Sequence, residues 1–221
     1  GSETSLAVDS AGKIHISYFD ETNEDLKFAT NALGSWTYQT VDATRVAGRE
    51  TSLAVNSAGK VHISYYDQTN GDLKVASNAS GSWRKETVDS GGVVGFFTSL
   101  AVDSADKVHI SYYDWSNKDL KYATNASGSW SAQTVDSEGD VGEYTSLAVN
   151  SAGKVTISYY DDTHGDLKLA TNAGGTWNIV TLDSEGDVGI FSALAVDSAG
   201  KVHVSYYDNT NQDLKYVGHC P

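Results

Sequence analysis

Residues 64–74 read SYYDQTNGDLK, and close copies begin at Ser17 (SYFDETNEDLK), Ser111 (SYYDWSNKDLK), Ser158 (SYYDDTHGDLK) and Ser205 (SYYDNTNQDLK), so that consecutive copies stand 47 residues apart. A period without slippage means one supersecondary unit repeated along the chain. Set on that period, the units begin at Thr4, Thr51, Thr98, Thr145 and Ser192. The second unit holds four short runs rich in Val, Ile, Tyr and Thr, at 52–55, 61–66, 73–77 and 82–88, with Gly, Asn, Asp and Ser between them. None of these runs has a helical period, and the one proline, Pro221, interrupts none of them.

The turns and the parity of the strands point the same way. Between the first two runs, Asn56 can close an Asx-turn and Gly59 can take the positive φ of a short hairpin loop; the third unit has Asp106 in the glycine's place, a residue that tolerates the left-handed region. Along 61–66, Val61, Ile63 and Tyr65 face one way and His62, Ser64 and Tyr66 the other. A bulky face and a face of mostly small side chains fit each other when one unit stacks on the next. Four-stranded antiparallel units of this length, stacked face to face, predict an all-β fold: a five-bladed β-propeller forming a single domain over residues 1–221. The fifth unit stops short of its fourth strand. Its blade is expected to be three-stranded, with 213–217 as an open outer edge through which chains could self-associate.

Composition narrows the partners. A formal net charge of −14 and a pI near 4.6 argue against nucleic acid and anionic membranes, since phosphate binding needs clustered Lys and Arg, and only Arg45, Arg49 and Arg84 occur. No apolar run reaches the roughly 18 residues of a bilayer span, so no membrane insertion is expected. With no Met in the chain, Gly1-Ser2 reads as a processing scar, and the lone Cys220 as a free thiol.

At Trp36, Trp83, Trp130 and Trp177 the chain reads LGSW, SGSW, SGSW and GGTW, each entering the fourth strand after a glycine turn. This resembles the Asp-box turn, SxDxGxTW, of sialidase-type propellers, although Ala32, Ala79, Ala126 and Ala173 stand near where its Asp would be. The repeats as a whole resemble the neuraminidase-repeat propellers of secreted bacterial proteins. The blade count resembles the five-bladed tachylectin-type lectins. These resemblances imply an extracellular, secreted protein and carbohydrate binding. The sialidase likeness would also imply an arginine triad, which three scattered arginines do not form.

In such a blade the second-to-third loops and the loops between units share one end, and that end receives most of the 29 acidic residues; Glu3, Asp9, Glu86, Asp103, Asp106 and Asp197 are assigned to the other. The anionic end is therefore the expected ligand face. Its candidate binding residues are Tyr66, Asp67, Asn70 and Asp72 in the second unit, with their counterparts Asp20 and Asp25; Tyr113, Asp114, Asp119 and the unmatched Trp115; Tyr160, Asp161 and Asp166; and Tyr207, Asp208 and Asp213. Aromatic faces suit the apolar side of a sugar ring, and Asp and Asn its hydroxyls. The loops Asp136-Ser-Glu138-Gly-Asp140 and Asp183-Ser-Glu185-Gly-Asp187 are the candidates for Ca2+, a cation that takes converging carboxylate oxygens. His15, His62, His109 and His203 recur at one position, with Thr156 in the fourth unit; stacked sheets hold such residues about 10 Å apart, too far for one metal, so they are expected to be polar core residues bonded between blades. No nucleophile elbow, phosphate loop or HExxH occurs. The sequence therefore reads as a non-catalytic, multivalent binder of glycan or another cell-surface ligand, with a structural repeat module of a larger protein second and a glycosidase third.

Overall fold

The computed structural model describes residues 1–172 and 175–219, which leaves Ala173 and Cys220 outside the described residues. Its elements are all strands, in five antiparallel sheets. The first blade is β1 (Ser2–Val8), β2 (Ile14–Asp20), β3 (Asp25–Thr30) and β4 (Thr37–Asp42). The second is β5 (Ala47–Val55), β6 (Val61–Asp67), β7 (Asp72–Ser77) and β8 (Arg84–Asp89). The third is β9 (Val94–Val102), β10 (Val108–Asp114), β11 (Asp119–Thr124) and β12 (Ser131–Asp136). The fourth is β13 (Val141–Val149), β14 (Val155–Asp161), β15 (Asp166–Thr171) and β16 (Asn178–Asp183). The fifth has, among the described residues, β17 (Val188–Val196), β18 (Val202–Asp208) and β19 (Asp213–His219), the last being its outer edge.

The first strands form the inner wall: β1 packs on β5, β5 on β9, β9 on β13 and β13 on β17. No comparable packing joins β17 to β1 among the described residues. The free face of the first blade consequently exposes Leu6 (60%), and that of the fifth exposes Leu214 (81%). Their counterparts inside the array, Leu53, Leu100 and Leu147, and Leu26, Leu73, Leu120 and Leu167, are buried.

Several residues of the repeated SYYD…DLK segment have a part in stacking. The Ser hydroxyl meets a hydroxyl on the next blade's inner strand: Ser17 with Thr51, Ser64 with Thr98, Ser111 with Thr145 and Ser158 with Ser192, at 2.6–2.8 Å. In the second to fifth blades the first Tyr of the pair is buried and donates its hydroxyl to the Asp that ends the preceding blade's fourth strand, as Tyr65 does to Asp42 (2.7 Å) and Tyr159 to Asp136 (2.7 Å). The Lys bridges that Asp and the Asp of its own SYYD: Lys168 Nζ lies 2.9 Å from Asp136 and 3.3 Å from Asp161. Burial alone would raise the carboxyls of Asp89, Asp136 and Asp183, yet hydrogen bonds from Lys and Tyr outweigh it and hold all three below the usual value.

That arrangement sets an acid limit. A carboxyl whose folded pKa is depressed contributes stability above its unfolded value, and the contribution is lost as pH falls through the folded one. Asp72, Asp119 and Asp166, raised chiefly by burial and secondarily by the neighbouring SYYD carboxylate, act in the opposite sense. Thermal unfolding followed by circular dichroism should show little change between about pH 6 and pH 5, then a steep fall in Tm below the ordinary aspartate value of 3.8. A Tm that holds to about pH 2.5 would rule out these Asp–Lys–Tyr bonds as a main tie between blades.

Candidate functional site at the inner wall

The inner strands begin earlier than the apolar pattern suggests. β5 starts at Ala47 rather than at residue 52, because the pairing with β6 continues through a bulge: Arg49 opposes Tyr66 and the next partners are Ser52 and Ser64. The extra residues stay unpaired, and the strand bends. Glu3, Glu50, Phe97, Tyr144 and Phe191 occupy the same bulge position in successive blades, and all five have φ between 50° and 55°. This left-handed conformation costs a bulky L-residue about 1–2 kcal/mol, yet no unit places Gly or Asn there.

The bulges assemble an aromatic belt at the anionic end. Tyr66 packs on Phe96 (centroids 4.4 Å apart), Phe96 on Trp115 (5.6 Å) and Trp115 on Tyr113 (6.1 Å). Phe97 then meets Tyr113 (6.1 Å) and Tyr144 (4.5 Å), and Tyr144 meets Phe191 (4.6 Å). Trp115 is 57% exposed and Phe191 68%. Acids flank the belt. Glu50 is raised above the usual carboxyl range by burial and then by the charge of Glu3; Glu143 is raised by burial and then by Asp162 and Asp140. Glu3 itself accepts from Arg49 Nη1 (3.0 Å) and from the Glu50 backbone N–H (2.5 Å), while the Arg49 guanidinium lies 4.6 Å over the Phe19 ring. Between these groups is a recess of about 270 Å³ lined by Glu3, Arg49, Glu50, Tyr66, Gln68 and Phe96.

The residues expected from the sequence fall in several separate places. Trp115 is in the belt, as are Tyr66, Tyr113 and Tyr160, which are buried beneath it; Tyr113 and Tyr160 donate their hydroxyls to Asp140 (2.6 Å) and Asp187 (2.7 Å) of the next blade. Tyr207 is half-buried on the free face of the fifth blade. Asp67, Asp114, Asp161 and Asp208 are buried turn caps: Asp67, for example, accepts from the Thr69 and Asn70 backbones, the Asn70 amide and Lys74. Asp20 caps the corresponding first turn. Asp25 is ion-paired with Lys27 at 3.2 Å, and Asp213, at the head of the last edge strand, is exposed.

In the two loops read as Ca2+ candidates, Asp136 and Asp183 hold Tyr and Lys partners, Asp140 holds Tyr113 and Lys118, and Asp187 holds Tyr160 and Asn209. The Glu138 and Glu185 backbone N–H groups donate to the Asp136 and Asp183 carboxylates. Among the described residues no three His, Cys, Asp or Glu side chains converge to hold a metal.

Two sequence expectations are corrected by these contacts. Glu3 sits at the anionic end, because β1 runs back from the Phe19 side of β2. Three of the four recurrent histidines bond within their own blade rather than between blades: His109 to Asp103 (3.2 Å) and Tyr122 (2.5 Å), His203 to Asp197 and Tyr216, His15 to Asp9 and Thr30.

No protein-family model and no curated protein matches the chain. Solved structures do share its fold. A triple arginine-to-alanine mutant of AofleA from Arthrobotrys oligospora aligns at a TM-score of 0.68 and 15% identity, over 98% of this chain and 68% of that one. An endo-arabinase from Bacteroides thetaiotaomicron aligns at 0.55 and 14%, over 99% and 93%. The Hadza microbial sialidase Hz136 aligns at 0.60 and 12%, over 98% and 55%. The chain is a β-propeller of the architecture these proteins share. The expectation of a non-catalytic chain is overturned by the same likenesses, since an endo-arabinase and a sialidase are enzymes built on this fold.

Proposed function

We propose that this propeller recognises a neutral saccharide chain along the inner wall at its anionic end. The observation that carries the reading is the set of five bulges, where Glu3, Glu50, Phe97, Tyr144 and Phe191 are held in a conformation that glycine would adopt without cost. Aromatic faces offered side by side suit successive pyranose rings, and the flanking carboxyls suit their hydroxyls. The surrounding negative charge disfavours acidic sugars. The endo-arabinase and the sialidase are carbohydrate enzymes by name, which agrees with a saccharide ligand though not with its neutrality.

A hydrolytic reading is favoured by one feature. Glycoside cleavage uses one carboxyl kept protonated beside another kept ionised. Glu50, raised by burial and by Glu3, adjoins a Glu3 carboxylate that is ion-paired with Arg49. In this reading Glu50 is the proton donor.

A glycan array of neutral and acidic oligosaccharides, followed by product analysis on each glycan retained, tests both. Neutral glycans should be retained, and cleavage, where seen, should be lost in Glu50→Gln. Retention of none, or of acidic glycans alone, rejects the proposal.

A further inference from the structure

At the opposite end of the molecule, between the second and third blades, lies a cavity of about 300 Å³ whose walls include His62, Val75, Arg84, Glu86, Asp106 and Trp130. It exists because the repeat is broken there at several positions at once. Where the first, third and fifth blades carry Phe28, Tyr122 and Tyr216 and the fourth carries Leu169, the second carries Val75. Phe28 and Tyr122 each present an edge to the next blade's Trp at 5.2 Å, which closes the corresponding space, whereas Val75 leaves the Trp130 side open.

His62 is affected by the same departures. Asp9, Asp103 and Asp197 each accept two backbone N–H groups on one oxygen and face a His Nε2 with the other. The fourth blade has Asn150 in that place and pairs it with Thr156, so no ring is left over. The second blade alone combines Asn56 with a histidine. Asn56 Oδ1 is taken by the Ala58 and Lys60 backbones, and His62 Nε2 is left with no partner among the described residues although the residue is only 8% exposed.

Charged groups are brought to the same walls. Asp106 stands where the other four units have glycine and keeps the left-handed φ of 59°. Arg84 replaces Thr37, Ser131 and Asn178, and Glu86 replaces Gln39, Gln133 and Val180. Glu86 accepts the Trp130 indole N–H at 2.8 Å, which fixes the ring. A buried polar atom without a partner costs stability, and an Asp in place of a turn glycine adds a smaller conformational cost. Their concentration in one cavity is what a ligand would offset.

We propose that this cavity binds a single pyranose ring of a neutral sugar, its apolar side against Trp130 and its hydroxyls on His62, Arg84 and Asp106. The volume is at the lower bound of small-molecule sites, which suits one ring. The opposite charges of Arg84 and of Asp106 and Glu86 suit a neutral ligand. The ligand class follows from this cavity's own chemistry and does not rest on the inner-wall reading.

The experiment is an NMR titration with the methyl glycosides of glucose, galactose, mannose and fucose, following the Trp130 indole N–H and the His62 ring nitrogens. At least one glycoside should shift both signals and saturate at about millimolar concentration. Val75→Tyr rebuilds the arrangement of Tyr122, His109 and Trp177, so it should fold with an unchanged or higher Tm and bind at least tenfold more weakly. His62→Thr, the residue the fourth blade uses beside Asn150, should also weaken binding about tenfold. Tyr144→Ala, on the inner wall, should leave these shifts unchanged even if it abolishes glycan-array retention. Absence of shifts with all four glycosides, or undiminished binding in Val75→Tyr, overturns the assignment whatever the array shows.

Discussion

Replacing Gly142 with alanine should destabilise the protein by about 3 kcal/mol or more and lower Tm by about 6–12 °C. Two costs combine. The residue has φ +108°, outside the range of an L side chain, and a Cβ there would lie 2.6 Å from Leu120 Cα and 2.9 Å from its backbone nitrogen. Those are main-chain atoms of a fully buried residue in the preceding blade, so nothing flexible can yield. The blades would have to separate, opening the packing of Leu120, Val141, Leu147 and Tyr159. Gly48, Gly95 and Gly189 meet Leu26, Leu73 and Leu167 in the same way, which makes the close approach a property of every internal interface. Gly128→Ala is the control: its φ is +94°, and a Cβ there would meet nothing within 4 Å. It should cost only about 1 kcal/mol, the conformational part alone. Equal denaturation midpoints for the two variants would show that the glycine serves backbone freedom and not the approach of blades.

What was legible in the sequence is what the units share. The period, the hairpin turns with Asn56 and Gly59, and the alternation along 61–66 are local chemistry repeated five times, and each copy reinforces the reading of the others. The truncated fifth blade followed from the same arithmetic. The inner-wall site was hidden for the converse reason: its residues differ from unit to unit. The pairs Ser2-Glu3, Arg49-Glu50, Phe96-Phe97, Glu143-Tyr144 and Ile190-Phe191 have no common polarity, so they read as loop, and a bulge that shifts pairing cannot be seen in parity. A signal was nonetheless present. A variable pair in the repeat directly follows an invariant glycine, at Gly48, Gly95, Gly142 and Gly189. The acidic turns recur for the opposite reason. Asp67 and its counterparts recur because they cap a turn and anchor a lysine in every blade, which is a structural demand, and recurrence of that kind reports the fold before it reports a ligand site.

Phe191→Gly and Phe191→Ala should move stability and binding independently. Phe191 is 68% exposed with φ +54°, so the folded chain bears the left-handed cost with little burial in return. Glycine removes that cost and alanine keeps it. The glycine variant should therefore be more stable than the alanine variant by about 1 kcal/mol and at least as stable as the native chain, because all that is lost in both is one partly exposed edge contact with Tyr144 at 4.6 Å. Saccharide affinity should fall by about tenfold in both, equivalent to about 1.4 kcal/mol, since both remove the same aromatic face from the belt. A gain in Tm together with a loss of binding is the signature of a residue retained for its ligand at the expense of the fold. If the glycine variant is instead less stable than the native chain, the aromatic at this bulge is a packing element of the inner wall. If it binds glycans as tightly as the native chain, the belt does not extend to the fifth blade, and the site is confined to Phe97, Tyr144 and the Glu50 recess.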